Sequence, residues 1–241
     1  MKPILFNTEM VRAILDGRKT VTRRTVSQGK SNPLYHNREK FYGVVDHLND
    51  DYKNWYAGFY NDNDIFCGAT GGRHIDAIYF KAPYKVNDIM YVRETWQLAY
   101  TLDENDHAIE GTERYIYAAS PEDMPNFTHW VDANGEYRDF VPWKPSIHMP
   151  KEAARIFLKV TGVRVERLQD MRLDDFKKEG TIAASISPED DLNYRFNFSN
   201  LWDSTIKKDQ LQYYSWDANP YVWVIEFEVI DKAAALKEVQ P

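Results

Sequence analysis

Apolar positions in this chain come in short blocks, some alternating and some with helical spacing, separated by long polar tracts. Residues 2–6, KPILF, are an apolar run of strand length. Asn7 or Thr8 then offers a helix cap, and Glu9 falls in the first turn, where the helix dipole favours a carboxylate. Met10, Val11, Ala13, Ile14 and Leu15 supply a helical stripe, which Gly17 closes. The next segment, RKTVTRR at 18–24, suits a strand. Alternation puts Thr20, Thr22 and Arg24 on one side of it and Lys19, Val21 and Arg23 on the other.

Three further blocks are strongly patterned. Residues 89–96 alternate as a strand, with Ile89, Tyr91, Arg93 and Thr95 opposite Met90, Val92, Glu94 and Trp96. Residues 155–168 do the same, with Gly162 read as a bulge after Ile156, Leu158 and Val160. Residues 221–230 form the last strand: Tyr221, Trp223, Ile225, Phe227 and Val229 face inward, Glu226 and Glu228 outward. Helices are expected over 173–179, LDDFKKE, closed by Gly180, and over 196–207, lined by Phe196, Phe198, Leu201, Trp202 and Ile206.

The rest is turn-rich. Residues 27–86 read as irregular, with turns at Ser31-Asn32-Pro33, Asn61-Asp62-Asn63 and Gly71-Gly72 and a hairpin around 75–81. Residues 101–142 carry one strand at 114–118 and a turn at Ala133-Asn134-Gly135, and Pro142, Pro145 and Pro150 punctuate an extended connector. The tail, 232–241, is expected to lack structure. The pattern predicts an α+β chain: a small mixed β-barrel flanked by short helices, in one domain over 1–231 with insertions at about 27–86 and 97–142.

Charge changes this picture locally. The net charge is −7, which argues against coating nucleic acid by charge alone. Yet residues 11–40 hold eight Lys or Arg against Asp16 and Glu39, and residues 143–178 hold nine basic against five acidic residues. Residues 101–142 reverse the balance, with ten acidic residues against Arg114 and Arg138. A basic surface and an acidic insertion are therefore expected together.

Other features exclude whole classes. No apolar run is long enough to span a bilayer and no signal-peptide core precedes the first block, so a cytoplasmic location is expected. One cysteine, Cys67, leaves no disulfide framework or multi-cysteine zinc site. His36, His47, His74, His107 and His129 are scattered without ligand spacing, so neither a metal nor another cofactor is expected. A glycine-rich phosphate loop, HExxH and GxSxG are all missing. Seven Trp, sixteen Tyr and twelve Phe suit a β-rich core, with Trp96 and Trp143 also candidates for base stacking.

At this point four blocks carry a resemblance: KPILFNTEMVRAILDGRKTVTRR at the start, DIMYVRETW at 88–96, WKPSIHMPKEAARIFLKVTGVRVERLQDM at 143–171 and NPYVWVIEFE at 219–228. Together they cover roughly half the chain. They resemble the ASCH family of PUA-like proteins, in particular the long members found in phages and prophages, through a GRKT-x-T-x-R signature at Gly17–Arg24. The chain departs from that pattern at Lys151-Glu152, near Ala82-Pro83-Tyr84 and in the two insertions.

The resemblance implies a PUA-like barrel that handles RNA or nucleosides. Small bacterial members include an amidohydrolase that removes the acetyl group from N4-acetylcytidine with a lysine, a threonine and a glutamate; other members are described as single-stranded ribonucleases. Carried over by motif, those three fall on Lys19, Thr22 and Glu179. Arg18, Arg23, Arg24, Arg93, Glu94, Trp96 and His148 are the candidates for substrate binding.

The chemistry is coherent. Cleaving an amide needs a nucleophile, a base and stabilisation of the oxyanion. A threonine hydroxyl is inert unless a base removes its proton, and a lysine serves as base only where burial or neighbouring cations destabilise its ammonium. Arg18, Arg23 and Arg24 crowd Lys19 in sequence, Thr20 and Val21 help dry the surroundings, and a partly buried Glu179 would hold a proton for the leaving amine. The scheme needs a bend between Lys19 and Thr22, because a regular strand points them to opposite faces. Nucleoside or single-stranded RNA is the expected partner. Binding of RNA without turnover, and ribonuclease action, are the alternatives.

Overall fold

The structure is a computed structural model. It describes residues 1–26, 39–45, 55–61, 78–105, 107–120, 130–131, 136–138, 141–182 and 191–238. The expected turns at Ser31-Asn32-Pro33, Gly71-Gly72 and Ala133-Asn134-Gly135 lie outside these residues, as do Cys67, His36, His47, His74 and His129.

In chain order the elements are β1 (Lys2–Leu5), α1 (Thr8–Leu15), β2 (Val21–Thr25), β3 (Glu39–Val45), β4 (Tyr56–Asn61), β5 (Ile78–Lys81), β6 (Ile89–Arg93), β7 (Trp96–Ala99) and β8 (Arg114–Tyr117). There follow β9 (Trp130–Val131), β10 (Tyr137–Arg138), β11 (Phe157–Arg167), α2 (Leu173–Lys178), α3 (Asp191–Thr205), α4 (Leu211–Tyr214), β12 (Tyr221–Ile230) and α5 (Lys232–Lys237). The chain forms two compact units: Met1–Gly17, Ile89–Leu158 and Val229–Pro241 make the first, and Arg18–Asp88 and Lys159–Glu228 the second.

In the first unit β1 runs parallel to β6, with Ile4 opposite Val92. The Val92 amide donates to Ile156 O at 3.0 Å, at the entrance to β11. Asn7 caps α1, its side chain accepting from the Met10 amide at 2.8 Å, and Val11, Ala13 and Ile14 are buried. β7 and β8 pair as an antiparallel hairpin, with Trp96 opposite Tyr117. The strand expected over 89–96 is thus broken after Arg93, and Trp96 belongs to a second strand. Ile89, Trp96, Tyr117, Met149, Phe157 and Ala235 share one apolar cluster. Ala235 comes from the tail expected to be unstructured. There Asp231 caps α5 by accepting from the Ala234 amide at 2.7 Å, and burial of Ala235 holds the helix in place.

The second unit carries the candidate catalytic residues. Its hydrogen-bonded order is β11–β12–β2. β12 is antiparallel to β2, with Ile225 opposite Thr22 and Val224 opposite Arg23. The pairing is extended by the amides of Phe227, donating to Thr20 O, and Val26, donating to Tyr221 O. β3, β4 and β5 form a separate antiparallel sheet with a register shift between Phe41 and Gly43, so part of the tract expected to be irregular is regular strand. β12 is buried on both faces at Val222, Trp223, Val224 and Ile225, whereas the alternation predicted one. Val21, Val222 and Val224 pack with Phe176, Phe198, Trp202 and Trp216, so α2, α3 and the turn after α4 cover the face that alternation left to solvent. Val229, expected inside, is exposed.

The expected α+β class is observed, as a mixed sheet with short helices. The described strands do not close into the expected barrel: β1 is bordered only by β6 and β2 only by β12. Helical cover, rather than strand closure, buries the outer face of β2 and β12. No helix among the described residues is long and apolar enough to cross a membrane.

The end of α2 decides where Glu179 points. Gly180 has φ +82°, its amide donates to Lys177 O at 2.9 Å, and the Thr181 amide donates to Phe176 O at 3.1 Å. This pair of bonds with a left-handed residue is a Schellman closure. A Cβ in that conformation costs roughly 1–2 kcal/mol. Gly180→Ala is expected to lower unfolding stability by about that amount in urea titration, with the midpoint shifted and the slope unchanged.

Candidate functional site

Lys19 lies outside the regular strand. It makes an isolated antiparallel bridge with Glu179, and the following amide, of Thr20, donates to Lys178 O at 2.9 Å. β2 begins only at Val21. The ladder with β12 continues back to Thr20, whose carbonyl accepts from the Phe227 amide, so Lys19 stands just before the strand that carries Thr22.

The Lys19 ammonium donates to Glu179 Oε2 at 2.5 Å and to the Glu179 carbonyl at 2.9 Å. The side chains are 1% and 6% exposed, so the pair is cut off from bulk water. Arg23, four residues further on, donates from Nη1 to Glu179 Oε1 at 3.1 Å. Both carboxylate oxygens therefore accept from cationic side chains. Glu179, expected from the sequence to hold a proton for the leaving amine, thus sits beside a proton donor, the Lys19 ammonium.

Burial pushes the Lys19 pKa below its ordinary value; Glu179 opposes this, and Arg24 and Arg23 reinforce it. For Arg23 burial disfavours the charge, but Glu179 and Glu166 outweigh it and hold the guanidinium above its usual value. Arg24 is lowered by burial despite Glu179 and Tyr84. Burial likewise raises Tyr84, with Arg24 opposing and Asp88 assisting.

Thr22 is buried on β2, and its hydroxyl accepts from Arg24 Nη1 at 2.8 Å; the same nitrogen donates to Arg23 O at 2.9 Å. Arg24 feels the charge of Glu179 and acts on Lys19, and Thr22 is tied to this group through its bond with Arg24. Arg18 donates to Gly180 O at 3.0 Å and so braces the turn that carries Glu179.

Sequence reasoning missed the outer part of this network. Arg23 donates through Nε and Nη2 to Glu166 Oε1 at 3.0 and 2.6 Å, and lies 3.4 Å from Asp175. Asp175 also accepts from the Arg172 amide at the start of α2 at 3.0 Å. Arg164 bonds Glu166 at 3.2 Å and makes a short ion pair with Glu226. A signal was available. Asp175 and Glu179 are four apart on one helix face, and Arg164 and Glu166 are two apart on one strand face.

The remaining candidates belong to the first unit. Glu94 is buried, and Arg155 grips it from Nε at 2.9 Å and Nη2 at 3.0 Å, while the guanidinium lies 4.0 Å from the Tyr117 ring centre. Burial raises the Glu94 pKa, against the pull of Arg155. The Tyr117 hydroxyl donates to Ala153 O at 2.6 Å, and burial, with Glu94 nearby, pushes its pKa up to about 12. Arg93 donates from Nε to Met149 O at 2.9 Å, bracing the turn after Ser146–His148. Trp96 is buried against Tyr115 with Lys144 over its ring, and among the described residues its indole N–H has no hydrogen-bond partner. His148 is exposed at the end of the 3-10 turn Ser146–His148. No cluster of potential metal ligands occurs among the described residues.

The network predicts an order of stabilities. Removing one member of a buried ion pair leaves an unpaired charge and costs about 3–5 kcal/mol. Glu179→Gln takes the carboxylate from the buried Lys19 ammonium and leaves Arg23 with Glu166 and Asp175 alone, whereas Lys19→Met leaves Glu179 paired with Arg23. Denaturant titration at neutral pH is expected to show Glu179→Gln as the more damaging substitution, by about 1 kcal/mol or more.

No family model, curated protein or solved structure matches this chain.

Proposed function

We propose that the chain is an ASCH-type, PUA-like protein that hydrolyses the amide of an N4-acylated cytidine or a related modified nucleoside. The observation that carries this reading is the Lys19–Glu179 pair, buried and 2.5 Å apart, with Thr22 on the adjoining strand. A lysine is an effective base only when its ammonium is destabilised, and burial supplies that here. The GRKT-x-T-x-R resemblance supplies the substrate class.

In this reading the proton of the Lys19 ammonium passes to Glu179 along their hydrogen bond, leaving a neutral amine. Thr22 Oγ1 attacks the acyl carbon, a carbon–oxygen bond forms and its proton moves to Lys19. Reaction requires Thr22 Oγ1 to come within about 3 Å of Lys19 Nζ. Arg24, already donating to Thr22, offers positive charge where the oxyanion develops. The tetrahedral intermediate collapses with cleavage of the carbon–N4 bond, and N4 takes the proton from Glu179. Cytidine leaves. Water then hydrolyses the acyl–threonine ester, giving the carboxylic acid and restoring the hydroxyl. Protons balance across the two halves, and neither metal nor cofactor enters.

Incubation of purified protein with N4-acetylcytidine is expected to release cytidine and acetate in equal amounts, read by liquid chromatography and mass spectrometry. Lys19→Ala and Thr22→Ala should each reduce the rate by roughly 10²-fold or more, the range general-base catalysis supplies. Turnover unaffected by either substitution removes these residues from the chemistry. RNA retained in a salt-sensitive manner without product assigns the site to binding instead, and cyclic-phosphate ends on cleaved RNA assign it to ribonuclease action.

A further inference from the structure

Arg23 was expected to touch substrate, but its surroundings give it another task. Its side chain is wholly buried, and each guanidinium nitrogen is engaged by a carboxylate: Nε and Nη2 by Glu166, Nη2 also by Asp175, and Nη1 by Glu179. No edge of the group is left to meet a ligand. The three carboxylates come from different places. Glu166 stands on β11, Asp175 inside α2 and Glu179 at its end. Arg23 itself is on β2, so one side chain ties the helix end to two strands of the sheet.

We propose that Arg23 is a positioning residue: anchored by Glu166 and Asp175, it fixes one oxygen of Glu179 so that the other is presented to Lys19, and it sets the charge against which Lys19 gains or loses its proton. The inference rests on reading Lys19 and Glu179 as the working pair. It adds Arg23 and Glu166 to the machinery as groups that act through others.

The charges around the pair fix the direction of each effect. Lys19 faces Glu179, Arg23 and Arg24. Arg23 faces Glu179, Glu166 and Asp175; Arg164 neutralises part of Glu166 and is itself held by Glu226, while Tyr84 lies beside Arg24. Removing the positive charge of Arg23 makes the Lys19 ammonium easier to keep. Removing the negative charge of Glu166 leaves Arg23 less compensated and makes that ammonium harder to keep. A residue that merely supports the fold has no reason to shift the titration in opposite directions from its two sides.

The test uses the full chain with lysine labelled by 15N, following the Nζ shift of Lys19, assigned by its disappearance in Lys19→Arg, as pH is raised. Arg23→Met should move the midpoint up and Glu166→Gln should move it down, each by about one pH unit. With N4-acetylcytidine, Arg23→Met should lower kcat roughly tenfold at neutral pH with KM within about twofold, and the falling, high-pH limb of the kcat profile should follow the Nζ midpoint, because the proton lost there is the one N4 takes. Arg23→Lys should restore the midpoint but not kcat, because one ammonium cannot span Glu166 and Glu179 as a guanidinium does.

Coincident midpoints for wild type, Arg23→Met and Glu166→Gln overturn the inference, as does a KM increase with kcat intact. If Arg23→Met does not fold, Glu166→Gln, altered at a side chain near the surface, decides by its downward shift or its absence. The Nζ titration needs no substrate. A protein that leaves N4-acetylcytidine untouched but shows the opposed shifts therefore refutes the proposed reaction and keeps the role of Arg23.

Discussion

The second unit is organised around a charge balance that cannot be broken one residue at a time. Two buried cations, Lys19 and Arg23, share one buried carboxylate, and the excess positive charge is met by Glu166 and Asp175 nearer the surface. Taking an ion out of water costs several kcal/mol, recovered only when geometry and hydrogen bonding are nearly complete. Every structural feature that aims Glu179 therefore matters: the Schellman turn at Gly180, the brace from Arg18 to the Gly180 carbonyl, and the bridge of Lys19 with Glu179 itself. The apolar packing of Phe176 beneath α2 fixes the helix on the sheet, and the charge cluster fixes its end.

Much of this was legible in the chain, because the relevant signals are local. A cap at Asn7 or Thr8, Gly17 and Gly180 as helix closures, the alternation of 155–168 and the short helix at 173–179 each follow from backbone chemistry acting within a few residues. The meeting of Lys19 with Glu179, 160 residues apart, came only through motif resemblance; no periodicity encodes it. The barrel failed as an expectation for a related reason. Alternation says which face of a strand is apolar, but not whether strands or helices will cover it. β12 shows this most clearly: alternation puts Val222 and Val224 on the same face as Glu226 and Glu228, and aromatic residues of α2 and α3 bury them.

The tail and β7 illustrate the opposite error, in which weak local signals hid ordered structure. Residues 232–237 are rich in alanine and lysine and offer little to pack, yet a single buried methyl, Ala235, with an aspartate cap suffices to hold a helix. In 89–96 the alternation runs on through Arg93, Glu94 and Thr95, but the chain breaks there: β6 ends at Arg93 and β7 begins at Trp96. A carboxylate with a bidentate arginine takes a place that ladder geometry would otherwise occupy.

That second buried carboxylate is instructive beside the first. Glu94 and Glu179 are both nearly inaccessible and both satisfied by cations, yet their capacities for chemistry differ. Among the described residues Glu94 is paired with arginine, and a guanidinium gripping both oxygens and lying over the Tyr117 ring does not release its proton in water's accessible range. Such a pair holds structure and nothing more mobile. Glu179 has an arginine on one oxygen and a lysine on the other, and an ammonium lowered by burial can lose its proton. Of the two clusters described, the one built on lysine is where burial acts on a cation able to become neutral.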